Sequence, residues 1–396
     1  MSESPGKIEF KKKDLPPKVM NAGIGLTAAG ILLAVISYLT DSGRSSMNNI
    51  VTLMFLTSVG LGSLFLVALE YVAGSHWSTP FRRVSEFLGA LLFILPLISL
   101  PLFFNMHDVF HWMHSEVVNS DNMLKSKAPY LNMNFFVIRI AAYFIIWIVF
   151  YLVITKRSRN QDATGDQIFT KKNIRTSAIF MPVFALTITF IAIDWLMSLE
   201  PHWFSTIFGV YYFSGTVLAA LASATIIIVL LVENGYFVKG MIKDHYYSLG
   251  ALLFAFTNFW AYIAFSQFLL IYYANLPEET SWFLHRWEGS WAIISIVLIL
   301  VHFLIPYAGL LSQPSKMNPK RLIQMSIVIL LAHFIDLYWI VMPVYSKEGF
   351  VFGWQEIAPL LLITGIGILV FSYKYKKENV VPLGDPKLQR GIDFRL

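Results

Sequence analysis

The chain has 396 residues, of which 56% are hydrophobic, 16% aromatic and only 14% charged, and its mean hydropathy is +0.62. Soluble domains carry roughly a quarter charged residues, so this composition excludes an ordinary soluble enzyme. The net charge of +6 does not indicate a nucleic-acid partner, and we expect none, because in a membrane protein the distribution of Lys and Arg between loops matters more than their sum.

Ten apolar stretches are each long enough to cross a bilayer, which needs about 20 residues at a helical rise of about 1.5 Å per residue. In chain order they span residues 19–39, 49–73, 86–105, 135–155, 177–199, 210–232, 250–273, 288–311, 322–344 and 354–373. The sequence therefore predicts an all-α integral membrane protein with a ten-helix domain at 19–373. A basic segment at 1–18 precedes that domain, a tail at 374–396 follows it, and the longest loops are 106–134 and 156–176.

The positively charged residues are distributed unevenly between the loops. Of the 30 Lys and Arg residues, 24 lie on the side that would carry both chain ends, five lie on the other side, and Arg139 lies within a stretch. Because cytoplasmic loops are enriched in Lys and Arg, we predict that both ends are cytoplasmic. The first stretch is too long for the apolar core of a signal peptide, so we interpret it as a retained helix.

Few ionisable side chains interrupt the apolar stretches. Because a charged side chain there costs about 2.5–3.5 kcal/mol, we expect each of them to have a partner or a function. His302 and His333 lie at similar distances from the loop that joins their helices, so the two imidazoles are predicted at one depth. Asp336 lies one turn beyond His333 on the same helix face. This group is typical of a proton relay or a quinone-ring contact, and equally of a hydrogen bond that fixes helix packing.

Two histidines at one depth on facing helices are also the kind of ligand pair that holds a b-type haem. The flanking residues 298–303 and 330–334 are bulky and contain no glycine that would make room for a porphyrin. The chain also contains no cysteine, so it lacks the ligands of cysteine-bound iron–sulfur clusters and the attachment residues of c-type haem. We therefore predict no covalently or cysteine-bound cofactor.

Two further groups of charged residues lie near the ends of the stretches. Arg139, Asp194 and Glu200 fall at about one depth near the outer side, which predicts a structural ion pair, the mouth of a pocket or the outer end of a proton path. Glu70 and Glu86 lie at helix ends near basic loops on the inner side. We expect these two carboxylates to be solvated or paired at the interface.

The long outer loop contains His107, His111 and His114, whose spacing places them on one face of a continuous helix. Zinc or copper could be held by such a set. No further metal motif accompanies them, so we interpret the loop as an amphipathic helix or a docking surface for other subunits.

Three long runs resemble a known family. They are KAPYLNMNFFVIR at 127–139, DWLMSLEPHWFSTIFGVYYFS at 194–214 and FAFTNFWAYIAFSQFLLIYYANLPEET at 254–280. These runs resemble the second large membrane subunit of bacterial alternative complex III, which is similar to the NrfD-like membrane anchors of polysulfide reductases. The resemblance covers about residues 21–373.

The resemblance implies a quinol-oxidising respiratory complex in the bacterial inner membrane that passes electrons to cytochrome c or an oxidase. It implies two four-helix bundles with two further helices beside them. Haem and iron–sulfur centres would belong to partner subunits, namely multihaem c and iron–sulfur subunits. A paralogous membrane subunit would hold the quinol site, while this chain would conduct protons and contact quinone or menaquinone.

Under this interpretation the titratable residues lie along a proton path with two halves, one on each side of the middle of the membrane. Glu70 and Glu86 would stand at the inner end, the His302, His333 and Asp336 group in the middle, and Arg139, Asp194 and Glu200 at the outer end. Two alternatives stay open: a secondary transporter with a central His/Asp site, and a purely structural anchor. The transporter would be favoured by helices broken at corresponding positions of two halves, for which Pro182 and Pro306 are the only loose match.

Overall fold

The computed structural model describes residues 10–396 and confirms an all-α integral membrane protein: 81% helix, with no strand in that part of the chain. Ten helices are long and apolar enough to cross a membrane. They are α1 (Pro17–Thr40), α2 (Ser42–Ala73), α3 (Thr79–Phe104), α4 (Met133–Thr164), α5 (Ile168–Leu199), α6 (Phe208–Glu233), α7 (Lys243–Ala274), α8 (Trp291–Leu310), α9 (Pro319–Tyr345) and α10 (Trp354–Lys377). Residues 1–9 of the predicted basic segment, including Lys7, lie outside the described residues.

Local signals explain several helix ends. Asp41 accepts a hydrogen bond from the backbone N–H of Arg44 at the start of α2, and Asn318 does the same for Arg321 at the start of α9. Pro319 follows Asn318 at the first helical position, where its missing N–H costs nothing. These caps set the boundaries of two helices that later position the site.

The predicted loop at 156–176 is wrong in extent, because α4 continues to Thr164 and α5 begins at Ile168. Only residues 165–167 connect them, and Gly165 takes the left-handed conformation that ends α4, with φ +69°. The polar extensions stabilise one another: Arg157 donates to Thr176 Oγ1 at 2.6 Å, and Gln161 donates to Thr170 Oγ1 at 2.7 Å. Charge marks the end of the apolar stretch here, but not the end of the helix.

The ten helices form two bundles and a pair. Helices α2–α5 pack together, α6–α9 form a second bundle, and α1 packs along α10 beside them. The bundles meet where α2 packs against α6, so α2 is buried along almost its whole length. At this crossing a Cβ on Gly62 would lie 2.7 Å from the Thr216 carbonyl oxygen and 2.8 Å from the Ala220 Cβ. The two backbones can approach this closely only because residue 62 has no side chain.

Replacing Gly62 by leucine is therefore expected to destabilise the protein by about 1–3 kcal/mol, since α2 and α6 must separate to admit the side chain. The matched control is Gly25→Leu on α1, where a Cβ would meet nothing within 4 Å. Thermal unfolding in mild detergent should show a lower midpoint for Gly62→Leu and an unchanged one for Gly25→Leu. Equal midpoints for the two variants would contradict the close approach.

Both ends of the described chain lie at the same face of the bundles, which we call the terminal face; the opposite one is the distal face. The Lys12 ammonium donates to the Lys376 carbonyl at 3.0 Å, and the Tyr375 hydroxyl donates to the Lys13 carbonyl at 2.9 Å. The predicted tail folds back onto this face, with Val380 and Val381 fully buried. The tail is thus part of the packed structure beyond the end of α10.

Candidate functional site

The helices α8 and α9 bring three titratable residues to the centre of the second bundle. His302 lies in a π-helical turn of α8, residues Leu300–Leu304. Pro306 follows one turn later. Because proline has no N–H and its ring crowds the carbonyl four residues before it, the regular backbone hydrogen bonds of the helix are disturbed at His302. His333 and Asp336 lie one turn apart on α9, and all three side chains are buried. We call these residues, with Tyr211, Trp260 and Ser58, the central cluster.

Asp336 is held by two neutral donors from neighbouring helices. The Tyr211 hydroxyl of α6 donates to Oδ1, and the Trp260 indole N–H of α7 donates to Oδ2 at 3.2 Å. The nearest imidazole nitrogen is Nδ1 of His302, 4.0 Å from Oδ2. That distance exceeds a hydrogen bond by about 1 Å, so a small rotation of the imidazole would bring the two groups together. No cation neutralises this carboxylate among residues 10–396.

The sequence suggested His333 as the histidine closest to Asp336, and the structure places His302 there instead. His333 turns toward α2, where its Nε2 lies 3.0 Å from Ser58 Oγ. The hydroxyl of Ser58 donates to the Tyr212 oxygen at 3.1 Å, which leaves Ser58 Oγ as the acceptor for His333 Nε2–H. The Nδ1 atom of His333 is then an unprotonated acceptor without a partner in the described part of the chain.

The two imidazoles lie close together and have free nitrogens. Their ring centroids are 6.3 Å apart, and both nitrogens of His302 have no hydrogen-bond partner within residues 10–396. The His302 ring packs on Trp260 with centroids 3.8 Å apart. Buried polar atoms are normally hydrogen-bonded, so these nitrogens are exceptions among the buried groups of the described residues. The arrangement can accept a proton at either imidazole, and the His302 imidazole is the one placed to exchange a proton with the Asp336 carboxylate.

Tyr211, Trp260 and Ser58 were not singled out from the sequence. Hydroxyl and indole groups do not titrate near neutral pH, so a search for ionisable residues in apolar stretches passes over them. One signal was available: Tyr211 lies in the run 194–214 and Trp260 in the run 254–280, both of which carry the family resemblance.

A second group, at the distal end of the first bundle, is a closed ion pair. Arg139 of α4 donates to both oxygens of Asp194 on α5, at 3.1 and 2.8 Å, and Tyr143 donates to the same carboxylate at 3.1 Å. The third arginine nitrogen donates to the Tyr130 carbonyl at 2.8 Å. Every charged group here has its partner, which is the arrangement of a packing element.

Glu200 does not join this pair, contrary to the prediction of one outer cluster. It pairs with Arg286, which lies in an additional helix, Pro277–Trp287, at 3.0 Å. Arg286 also donates to the carbonyls of Trp339 and Ile340 on α9, at 3.1 and 2.7 Å, and burial lowers the pKa of its guanidinium. Trp339 is one turn from Asp336, so the group of Glu200 and Arg286 lies directly distal to the central cluster.

Arg286 is the charged residue that the sequence reading missed. Its position between two apolar stretches is that of an ordinary loop residue, although the side chain is fully buried. A signal existed, since Arg286 is the only Lys or Arg between Lys243 and Lys316.

At the terminal face, Glu70 and Glu86 are buried rather than solvated. Arg82 donates to Glu70 at 3.0 Å and to Asp385 of the folded tail at 2.7 Å. Glu86 accepts from the Ser158 hydroxyl at 2.8 Å and lies 3.4 Å from Arg82. Of the two expected alternatives, solvation is wrong because the tail and α4 cover this end of α3, and pairing is confirmed by the contacts of both carboxylates with Arg82.

The structure thus separates the predicted site residues into four places. Glu70 lies twelve residues from Ser58 along α2, a helical rise of about 18 Å, so the terminal group does not touch the central cluster. Between them, the hydroxyls of Ser63 on α2 and Ser326 on α9 are buried and have no partner within the described residues. Asp194 and Arg139 belong to the other bundle.

The histidines of the long distal loop do not share one helix. Residues Met106–Val109 and His111–Met113 form separate short turns, and His114 is extended. His107 and His114 are nevertheless neighbours: the His114 Nε2 lies 2.8 Å from the His107 carbonyl oxygen, and the two rings are 5.5 Å apart. The continuous helical face expected from their spacing is therefore wrong.

Comparison with known proteins gives no family. The chain matches no model of a known protein family. The search of curated proteins likewise gives no significant match.

Proposed function

We propose that the chain is a membrane subunit of a quinol-oxidising respiratory complex of the alternative complex III type, and that it moves protons through the central cluster. In this proposal it lies in the bacterial inner membrane with both ends cytoplasmic. Multihaem c and iron–sulfur subunits would carry the electrons, a paralogous membrane subunit would hold the quinol site, and an oxidase would be a further partner. The resemblance of three runs of sequence supports the type of complex, and the central cluster supports the role in it.

The observation that carries the role is a buried carboxylate with neutral partners beside two imidazoles with free nitrogens. A structural ion pair would saturate its charges, as Arg139 and Asp194 do. Asp336 instead receives only the Tyr211 and Trp260 donors, and His302 stands 4.0 Å away. An intramembrane carboxylate in this setting is by default a functional group.

The positions of the other groups support two halves of a proton path, one on each side of the central cluster. On the distal side, Arg286 connects the Trp339 carbonyl to Glu200, whose carboxylate is partly exposed. On the terminal side, the buried hydroxyls of Ser63 and Ser326 lie between His333 and Glu70. The Arg139 and Asp194 pair, offered from the sequence as a proton station, is not part of this proposed route.

The transporter alternative gains no support from Pro182 and Pro306, the loosely matched pair of prolines. Pro306 accompanies a π-helical turn in α8, whereas α5 continues through Pro182 without a break. The loose match of Pro182 and Pro306 therefore does not correspond to a pair of broken helices.

The type of complex can be tested with the tagged full chain, purified from its native membrane in mild detergent. We expect co-purifying c-type haem that becomes reduced when a quinol such as decylubiquinol is added. The chain has no cysteine, so that haem must belong to partner subunits. A colourless, stable preparation of the single polypeptide would contradict the proposal and favour a transporter.

A further inference from the structure

A cleft in the second bundle opens sideways between α7 and α8. It has a volume of about 620 Å³, within the range of sites for small organic molecules. Its outer edge includes Tyr262 and Phe265, whose side chains are 65% and 61% exposed on the surface that faces lipid. Aromatic residues make up half of the remaining wall, among them Phe268, Phe283, Phe303 and Trp339. A ligand would enter this cleft from the hydrocarbon and pack between flat rings.

The inner end of the cleft is formed by residues of the central cluster. Tyr211 and Trp260 both line it, and both donate hydrogen bonds to Asp336. The Tyr211 hydroxyl uses its proton on the carboxylate, so its oxygen retains an acceptor lone pair. A molecule in the cleft would therefore lie one hydrogen-bonded residue away from Asp336.

A second polar group in the wall has no partner. Gln267 lines the cleft, is only 3% exposed, and its Oε1 accepts no hydrogen bond from residues 10–396. Leaving such an atom unpaired costs about 1–3 kcal/mol. The other amide in the wall, Asn258, already donates to the Phe254 carbonyl at 2.7 Å, and Ser295 donates to the Arg286 carbonyl at 2.6 Å. Of the residues in this wall, Gln267 is the one with a buried side-chain oxygen that has no hydrogen-bond partner within residues 10–396.

From these observations we infer that the cleft binds a lipid-soluble molecule with a flat aromatic ring that carries a hydroxyl group. The ring packs against the aromatic wall, the apolar tail leaves between α7 and α8, and the hydroxyl donates to Gln267 Oε1. A plain acyl chain would leave Gln267 unpaired, and a water-soluble ligand would gain little from these walls. Quinols have the required chemistry, so the inference rests on the proposed function and adds a second-bundle site to it.

The test uses the purified full chain in lipid nanodiscs and the fluorescent probe heptyl-hydroxyquinoline N-oxide, which has a flat ring, a hydroxyl and an alkyl tail. We expect saturable binding that decylubiquinol displaces. Gln267→Leu keeps the volume and removes the acceptor, so it should weaken binding about five- to tenfold. Ala264→Trp should abolish binding by filling the cleft.

Ala34→Trp is the matched control, because it fills a separate cleft of about 200 Å³ between other helices and should leave probe binding unchanged. Each variant must keep the parent's elution profile and unfolding midpoint. The inference is overturned if Gln267→Leu and Ala264→Trp bind as tightly as the parent, or if dodecane displaces the probe as well as decylubiquinol does.

The two proposals can fail separately, because this assay needs neither partner subunits nor turnover. Loss of specific binding together with quinol-reducible haem in the native assembly would remove the cleft site and keep the proposed function. Specific binding to a chain that purifies alone, without haem, would keep the site and remove the respiratory complex.

Discussion

Replacing Arg139 by alanine should abolish accumulation of the folded protein in the membrane, or reduce it severely. The side chain makes three hydrogen bonds in the distal part of the first bundle, two of them to the fully buried carboxylate of Asp194. Removing the arginine leaves that charge without a counter-ion, which costs about 3–5 kcal/mol. Such a loss is comparable to the whole stability of many domains. The measurement is the yield and unfolding midpoint of the variant after extraction in mild detergent.

Two further variants separate this effect from the loss of a surface charge. Arg159→Ala removes an arginine that pairs with Glu378 but is 34% exposed, so it should change stability by less than about 1 kcal/mol. The double variant Arg139→Met with Asp194→Leu removes both charges and should recover much of the yield, because no buried charge is then left alone. A normal yield of Arg139→Ala would show that the ion pair does not hold α4 and α5 together.

Replacing Asp336 by asparagine should have the opposite pattern: normal assembly and greatly reduced proton movement. Asparagine has the same shape and can still accept a hydrogen bond from Tyr211 or Trp260, so the packing of α6, α7 and α9 should survive. It cannot take up and release a proton. The measurement is the number of protons moved per electron when the intact assembly, reconstituted in vesicles, oxidises a quinol.

The matched control is Asp166→Asn in the exposed turn between α4 and α5. Asp166 accepts a hydrogen bond from the Ile168 backbone N–H, which asparagine can also accept, and we expect its proton-to-electron ratio to equal that of the parent. An unchanged ratio in Asp336→Asn would remove this carboxylate from the proton path. Poor assembly of Asp336→Asn would favour the alternative in which the central cluster only fixes helix packing.

The contrast between these two carboxylates is a contrast in partners. Asp194 is bound by a guanidinium through two hydrogen bonds, which keeps its charge fixed. Asp336 has only neutral donors and a histidine at 4.0 Å. The sequence placed both residues among the proton-path candidates because each is an ionisable group inside an apolar stretch. Only the side chains that the neighbouring helices place against each carboxylate distinguish the two.

The sequence by itself determined the ten helices and the depth of their polar residues. Each helix depends on a local property, the length of an apolar stretch, and counting from a shared loop placed His302 and His333 together, as their 6.3 Å ring separation shows. The helix ends were not determined in the same way, because polar residues can extend a helix beyond its apolar stretch, as at residues 156–164.

Only the tertiary structure decided which charged groups meet. A helix that crosses the membrane at a known depth can still present any side to its neighbours, and that rotation is fixed by contacts between residues far apart in sequence. Two of these contacts are close approaches at glycine: Gly62 lies against α6, and a Cβ on Gly215 would lie 2.9 Å from the His333 ring. Such packing turns His333 toward Ser58 and leaves His302 beside Asp336. It also pairs Glu200 with Arg286, a residue that lies 86 positions away in the chain.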